Sequence, residues 1–137
     1  MRSKSKEEWL LRKKERMFAR LMRELDESRA VLVVEGMRDE RALRNIGVMN
    51  AVVRAHGTPD DIARRVAKRG DSAVVLTDFD GSGEELRLRI TEALHAHGVR
   101  SLEEPRRAFR YIFGLLFFEE IDRKHEELVE KLREFER

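Results

Sequence analysis

Val74-Val75-Leu76-Thr77-Asp78-Phe79-Asp80-Gly81-Ser82-Gly83 is the stretch on which the fold turns: an apolar run that stops abruptly in two carboxylates and two glycines. A second stretch, Val31-Leu32-Val33-Val34-Glu35-Gly36-Met37-Arg38-Asp39, has the same grammar, an apolar run followed by an acid and a glycine. Both read as buried strands that hand an acid to a loop, each followed by a helix. Continuously apolar strands, as opposed to alternating ones, are those covered on both faces. In an open parallel sheet the crevice beyond the strand carboxyl ends is where ligands bind. The two stretches are therefore expected to build one site.

Working outward, residues 38–45 predict a short helix ended by Gly47, and residues 49–55 a weaker second strand. Thr58-Pro59-Asp60-Asp61 is a strong helix start, with a cap, proline at the first helical position and acids in the first turn. That helix runs to about Arg69 and stops at Gly70. After the strand at 73–77, residues 82–96 form the next helix, with Ser82 as cap and Glu85 closing a capping box. Val99-Arg100 begins a short fourth strand.

Long helices are expected at both ends. Residues 5–28 are amphipathic, opened by a Ser5/Glu8 capping box, with Trp9, Leu10, Met17, Phe18, Leu21 and Leu25 on one face. Lys13, Lys14, Arg16, Arg20 and Arg23 form the other, either a solvated surface or a nucleic-acid-contacting one. Residues 106–135 read as one helix, kinked near Gly114. Its seam of Phe118, Ile121, His125, Leu128, Leu132 and Phe135 needs a partner, either the amino-terminal helix or a second subunit. Strands alternating with helices argue for a single α/β domain over 1–137, with a mainly parallel sheet and right-handed crossovers.

Composition narrows the chemistry. There are no cysteines, which removes disulfides, thiolate zinc sites, iron–sulfur clusters and cysteine catalysis. No apolar run reaches transmembrane length and the amino terminus is charged, so a cytoplasmic protein is expected, with no membrane role. Charged residues make up 41% of the chain, and 22 of the 29 bases are arginine, a composition that fits a heat-adapted source. Because 29 bases nearly cancel 27 acids, net charge does not announce nucleic-acid binding; only its local distribution could.

Asp78 and Asp80 lie two apart at a strand end, so their side chains share a side, and Glu35 should face the same crevice. Clustered carboxylates without His or Cys suit a hard cation, Mg²⁺ or Mn²⁺, which would relieve their mutual repulsion. Gly36, Gly81, Ser82 and Gly83 are candidates for holding a phosphate, and Ser82, Gly83 and Glu84 open a helix whose free amides could hold an anionic oxygen. Arg38, Arg41 and Arg44, on the helix after Glu35, either contact nucleic-acid phosphates or pair with Asp39 and Glu40. Arg106, Arg107 and Arg110 beside Phe109 and Tyr111 combine base and aromatic, though those aromatics also fit a buried helix face. His56, after the second strand, either reaches the crevice or is a surface loop histidine, and His95, His97 and His125 show no ligand spacing.

The pairing of Glu35-Gly36-x-x-Asp39 with Thr77-Asp78-Phe79-Asp80-Gly81-Ser82-Gly83-Glu84 resembles the Toprim domain of topoisomerases, bacterial primases, OLD-type nucleases and the ribonuclease that matures 5S ribosomal RNA. The resemblance covers residues 30–100. It implies a Rossmann-like parallel sheet flanked by helices, Glu35 as general acid/base, and Asp78 and Asp80 as Mg²⁺ ligands with Glu35. Met37 stands where the nuclease branch often has lysine, and Ser82 where type IA topoisomerases carry a third acid. The only tyrosine, Tyr111, lies in an apolar helix, and there are no cysteines to build the zinc-binding template domain that a primase commonly has. The layout is thus most similar to the 5S-maturation branch and to small archaeal Toprim proteins. That implies a nuclease acting on structured RNA or DNA, or else a non-catalytic nucleic-acid-binding or adaptor module working with protein partners. A flavodoxin-like nucleotide binder would need only the sheet and the acids.

Overall fold

The computed structural model describes residues 2–137, with side chains from Lys6 onward. The order of elements is α1 (Arg2–Ser28), β1 (Val31–Val34), α2 (Met37–Asn45), β2 (Val52–Arg54), α3 (Pro59–Ala67), β3 (Ser72–Leu76), α4 (Gly81–Ala96), β4 (Arg100–Ser101), α5 (Glu104–Phe113) and α6 (Ile121–Glu136), with a 3-10 turn at Phe118–Glu120. The four strands form one parallel sheet in the order β2-β1-β3-β4. Every residue of β1 and β3 is buried, as their unbroken apolar runs require. Among the described residues no helix is long and apolar enough to cross a membrane.

The pleat sorts the strand side chains into two cores. Leu32, Val34, Val74 and Leu76 face α1, α2, α5 and α6, where Phe109 and Phe118 are fully buried. Val31, Val33, Ala73 and Val75 face α3 and α4, against Ile62, Val66, Ile90 and Leu94. The chain steps from β1 to β2 in one direction and from β2 to β3 and β4 in the other. One hand of crossover then puts α2 on one face and α3 and α4 on the other. The direction reverses between β1 and β3.

The amino-terminal helix starts at Arg2, so Ser5 lies within it and is no cap; its side chain is outside the described ones. Trp9 and Leu10 are exposed, and contact with the core begins at Leu11 and is complete at Leu21 and Leu25. Asn50 donates to the carbonyls of Leu25 and Ala30, both at 2.9 Å, and so ties the end of α1 to the start of β1.

The expected single carboxyl-terminal helix is two helices. Gly114, left-handed at φ 61°, ends α5, and the chain then folds back before α6 begins. The reason is local: Leu115-Leu116-Phe117-Phe118 is too continuously apolar to be one stripe of an amphipathic helix. The α6 seam packs within the chain, Leu128 and Leu132 in the core and His125 against the rings of Phe18 and Phe113.

At the free edge of the sheet, α3 and the turn after it reach over β2. Arg69 donates to the Val52 carbonyl at 3.2 Å, and Arg65 to the Arg54 carbonyl at 3.0 Å and to that of His56.

Candidate functional site

The switch between β1 and β3 is where the two acid-bearing loops meet. Glu35 Oε2 accepts the Asp78 amide at 2.7 Å, so the first loop's acid is fixed directly to the second loop's backbone. Asp78 Oδ1 accepts the Phe118 amide at 2.9 Å, and the Phe79 amide donates to the Leu116 carbonyl at 2.8 Å. The fold-back between α5 and α6 therefore forms part of the site, which a continuous helix would have kept away from it. Asp80 Oδ1 accepts the Gly83 amide at 2.6 Å and caps α4. Asp80, not Ser82, is thus the cap; both are good capping residues, and the carboxylate at the earlier position takes the role.

Burial pushes Asp78 up to about 6, partly offset by the Phe118 amide and reinforced by the neighbouring Glu35 and Asp80 charges. Asp39, absent from the expected ligand set, is buried in the same cluster. Its Oδ2 accepts the Gly36 amide at 3.1 Å. Burial and then Asp78 raise its carboxyl above the usual range. Its helical spacing behind Gly36 was the available signal.

A second hidden member is Arg106, 7% exposed. It donates to the Thr77 carbonyl at 3.1 Å and the Asp78 carbonyl at 2.8 Å, pairs with Glu84 at 3.0 Å and covers the Phe79 ring at 4.1 Å. The signal was its place on the buried stripe of α5, three residues before Phe109 and seven before Phe113. Thr77 Oγ1 donates to the Gly83 carbonyl at 2.7 Å, bracing the same loop. α4 comes so close that a methyl group on Gly83 would lie 2.2 Å from the Asp78 carbonyl oxygen.

These contacts revise the phosphate expectations. The amides of Gly36 and Gly83 are already taken by Asp39 and Asp80. The amides of Gly81 and Ser82, in the first turn of α4, have no intrahelical partner. Of the arginines after Glu35, Arg44 is committed to the Val48 carbonyl at 2.8 Å and lies 4.0 Å from Glu40. Glu40 pairs chiefly with Arg54, at 2.9 Å, and Asp39 pairs with none of the three. Arg38 and Arg41 are exposed and line a shallow depression with Glu119 and Arg123. Tyr111 is half-exposed with Lys14 over its ring. His97 holds Asp60 at 2.6 Å, His125 is packed among rings and His56 is exposed.

Among the described residues no group of three or more His, Asp or Glu side chains is placed to hold a metal ion. The donor chemistry nonetheless suits a hard divalent cation. Glu35, Asp78 and Asp80 offer oxygen only, each has a second oxygen beyond the one given to a backbone amide, and Asp78 stands against two like charges. Mg²⁺ commonly takes only one or two protein carboxylates and keeps several waters, so a closed protein cage is not required of it.

No protein-family model matches the chain. It is similar to the UPF0292 protein of Thermococcus gammatolerans, 38% identical over 69% of this chain and 71% of that protein. It is also similar to the UPF0292 protein PH1700 of Pyrococcus horikoshii, 32% identical over 69% of this chain and 72% of that protein. A solved structure of an Aquifex aeolicus protein superposes with a TM-score of 0.63 at 25% identity, over 74% of this chain and 95% of that one.

Proposed function

The chain belongs to the UPF0292 family, and we propose that it is a Mg²⁺-dependent phosphoryl-transfer enzyme of the Toprim type, a nuclease acting on structured RNA or DNA in the cytoplasm. One observation carries the reading: Glu35 and Asp78, from the loops after two neighbouring strands, are joined by a 2.7 Å hydrogen bond across the switch point of a parallel sheet, with Asp80 beside them. That is where open α/β sheets bind ligands.

In this reading Asp78 and Asp80 hold the cation with Glu35 nearby. When bound, Mg²⁺ supplies a positive charge that stabilises the developing negative charge at phosphorus. The protein's own part is positional. The Asp78 amide fixes Glu35 Oε2, leaving the other oxygen to move a proton to or from the attacking or leaving group. Arg106 and Gly83 fix the Asp78 carbonyl, and the Phe118 amide fixes its carboxylate. Arg38 in the first turn of α2 and Arg41 at its middle stand exposed and would take backbone phosphates.

The test is cleavage of structured RNA and of single- and double-stranded DNA with Mg²⁺ or Mn²⁺, against chelator. Glu35→Gln should reduce cleavage by about a hundredfold or more, with the circular dichroism spectrum unchanged. Wild-type protein inert on all these substrates, or cleavage that survives Glu35→Gln, would overturn it. The competing reading, a non-catalytic nucleic-acid-binding or adaptor module, is favoured by one oxygen of each acid being tied to a backbone amide. It predicts nucleic-acid or partner affinity that Glu35→Gln leaves intact.

A further inference from the structure

A second concavity, about 330 Å³, lies behind the acid loop between α4, α5 and β4. Phe79 lines it, whereas Asp78 and Asp80 do not. Four arginines line it, Arg87, Arg106, Arg107 and Arg110, against two glutamates, Glu84 and Glu103. Both acids are spent: Glu84 is held by Arg87 and Arg106, and Glu103 by Arg87 at 2.7 Å. Arg107 and Arg110 are the surplus. Arg107 approaches only Glu104, at 3.8 Å, and that carboxylate is 91% exposed. Arg110 lies 5.0 Å over the Phe79 ring.

The α4 wall adds an independent signal. Thr91, one turn after Arg87, lines the same cavity, and its Oγ1 is the buried side-chain oxygen with no hydrogen-bond partner among the described residues. Buried hydroxyls are normally satisfied, by protein, water or ligand. A pair of uncommitted guanidinium forks beside an unsatisfied hydroxyl, in a cavity with surplus positive charge, has the chemistry of an oxyanion acceptor.

We propose that this cavity is a phosphate-binding site, with Arg107 and Arg110 as the ion-pairing donors and Thr91 as a hydroxyl contact, distinct from the acid crevice and separated from it by the Asp78–Asp80 loop. Arg87 and Arg106 shape it and supply its field, because their donors are already engaged. The phosphate is either part of a polynucleotide backbone or a free phosphate compound. The site uses none of the three acids, so it stands whether or not the crevice is catalytic.

Binding is to be measured on the full chain in chelator, where metal-dependent cleavage is silent. The probes are fluorescein-labelled single-stranded RNA and DNA by anisotropy, and inorganic phosphate and pyrophosphate by thermal shift. The double variant Arg107→Ala/Arg110→Ala, at exposed positions, should weaken the responding probe by about tenfold or more, and for an oligonucleotide flatten the log–log salt slope by about two. Thr91→Val should weaken phosphate or pyrophosphate binding without lowering thermal stability. An arginine-dependent response to the oligonucleotides assigns the phosphate to a nucleic-acid strand, and one to the small anions alone assigns it to a free compound. Wild-type protein that binds none of the probes, or a double variant that binds as wild type, overturns the site. A protein that binds through these arginines yet never cleaves keeps the cavity and loses the nuclease reading, and the converse result separates them the other way.

Discussion

The loops after β1 and β3 are built from the same parts and behave as opposites. Each runs from a buried strand through an acid and a glycine into a helix. After β1, the acid at the third helical position, Asp39, reaches back to the Gly36 amide; after β3, the capping acid, Asp80, reaches forward to the Gly83 amide. Gly36 has open space where a side chain would go, whereas a methyl on Gly83 would collide with backbone at 2.2 Å. Arg106, Thr77 and the fold-back at Leu116–Phe118 all brace the β3 loop. The β1 loop has the Asp39 bond and its one link through Glu35. One loop is a rigid platform and the other delivers a single acid to it.

The largest expected effect tests that contrast at the glycines. Gly83→Ala should destabilise by about 3 kcal/mol or more, because the obstacle is the Asp78 backbone carbonyl, which cannot swing aside. Gly36→Ala should cost about 1 kcal/mol or less, the modest difference between glycine and alanine at a helix cap. Chemical denaturation of the two variants reads the difference, and equal costs would break the comparison.

Next comes the brace. Arg106→Met leaves the Thr77 and Asp78 carbonyls without their side-chain donor and should cost about 2–3 kcal/mol. Arg106→Lys should recover little of it, since an ammonium cannot span both carbonyls and the Glu84 carboxylate.

The third test is pH. Burial and the neighbouring carboxylates push the Asp78 carboxyl up to about 6 in the folded chain, above its ordinary value of 3.8. Between those values the folded state binds the proton more tightly than the unfolded one, so its contribution to stability grows as pH falls through that window. In chelator the Tm should therefore gain from Asp78 as pH drops from about 7 towards 5, and Asp78→Asn should remove that gain. Asp39→Asn is the smallest change. It keeps an oxygen for the Gly36 amide and relieves a like charge beside Asp78, so stability should move by about 0.5 kcal/mol or less.

The platform's strands and the site's location were legible in the sequence because they rest on local signals. Unbroken apolar runs ending in acids gave β1, β3 and the crevice, and Thr58-Pro59-Asp60-Asp61 gave α3 with its cap as expected. What escaped was long-range. Helical spacing can place Arg106 on the buried stripe of α5, but nothing local says that its partner is a carbonyl 28 residues away. A helical reading of 106–135 overrode the four consecutive apolar residues after Gly114, and with them the contact between Phe118 and Asp78. Trp9 and Leu10 carry the right periodicity, but α1 outruns the core it packs on, and periodicity cannot report where a partner ends.

The arginines that α3 and the turn after it lay across β2 bear on how the protein can associate. An unpaired strand edge is a template on which another chain's backbone can dock. Here the outward carbonyls of Val52 and Arg54 already have guanidinium partners, and the opposite edge is a strand of two residues. Recruitment is obstructed at one border, where guanidiniums cover the carbonyls, and the other border is too short to offer much of a template. Sheet extension is therefore disfavoured as a route to assembly, which leaves side chains to carry association.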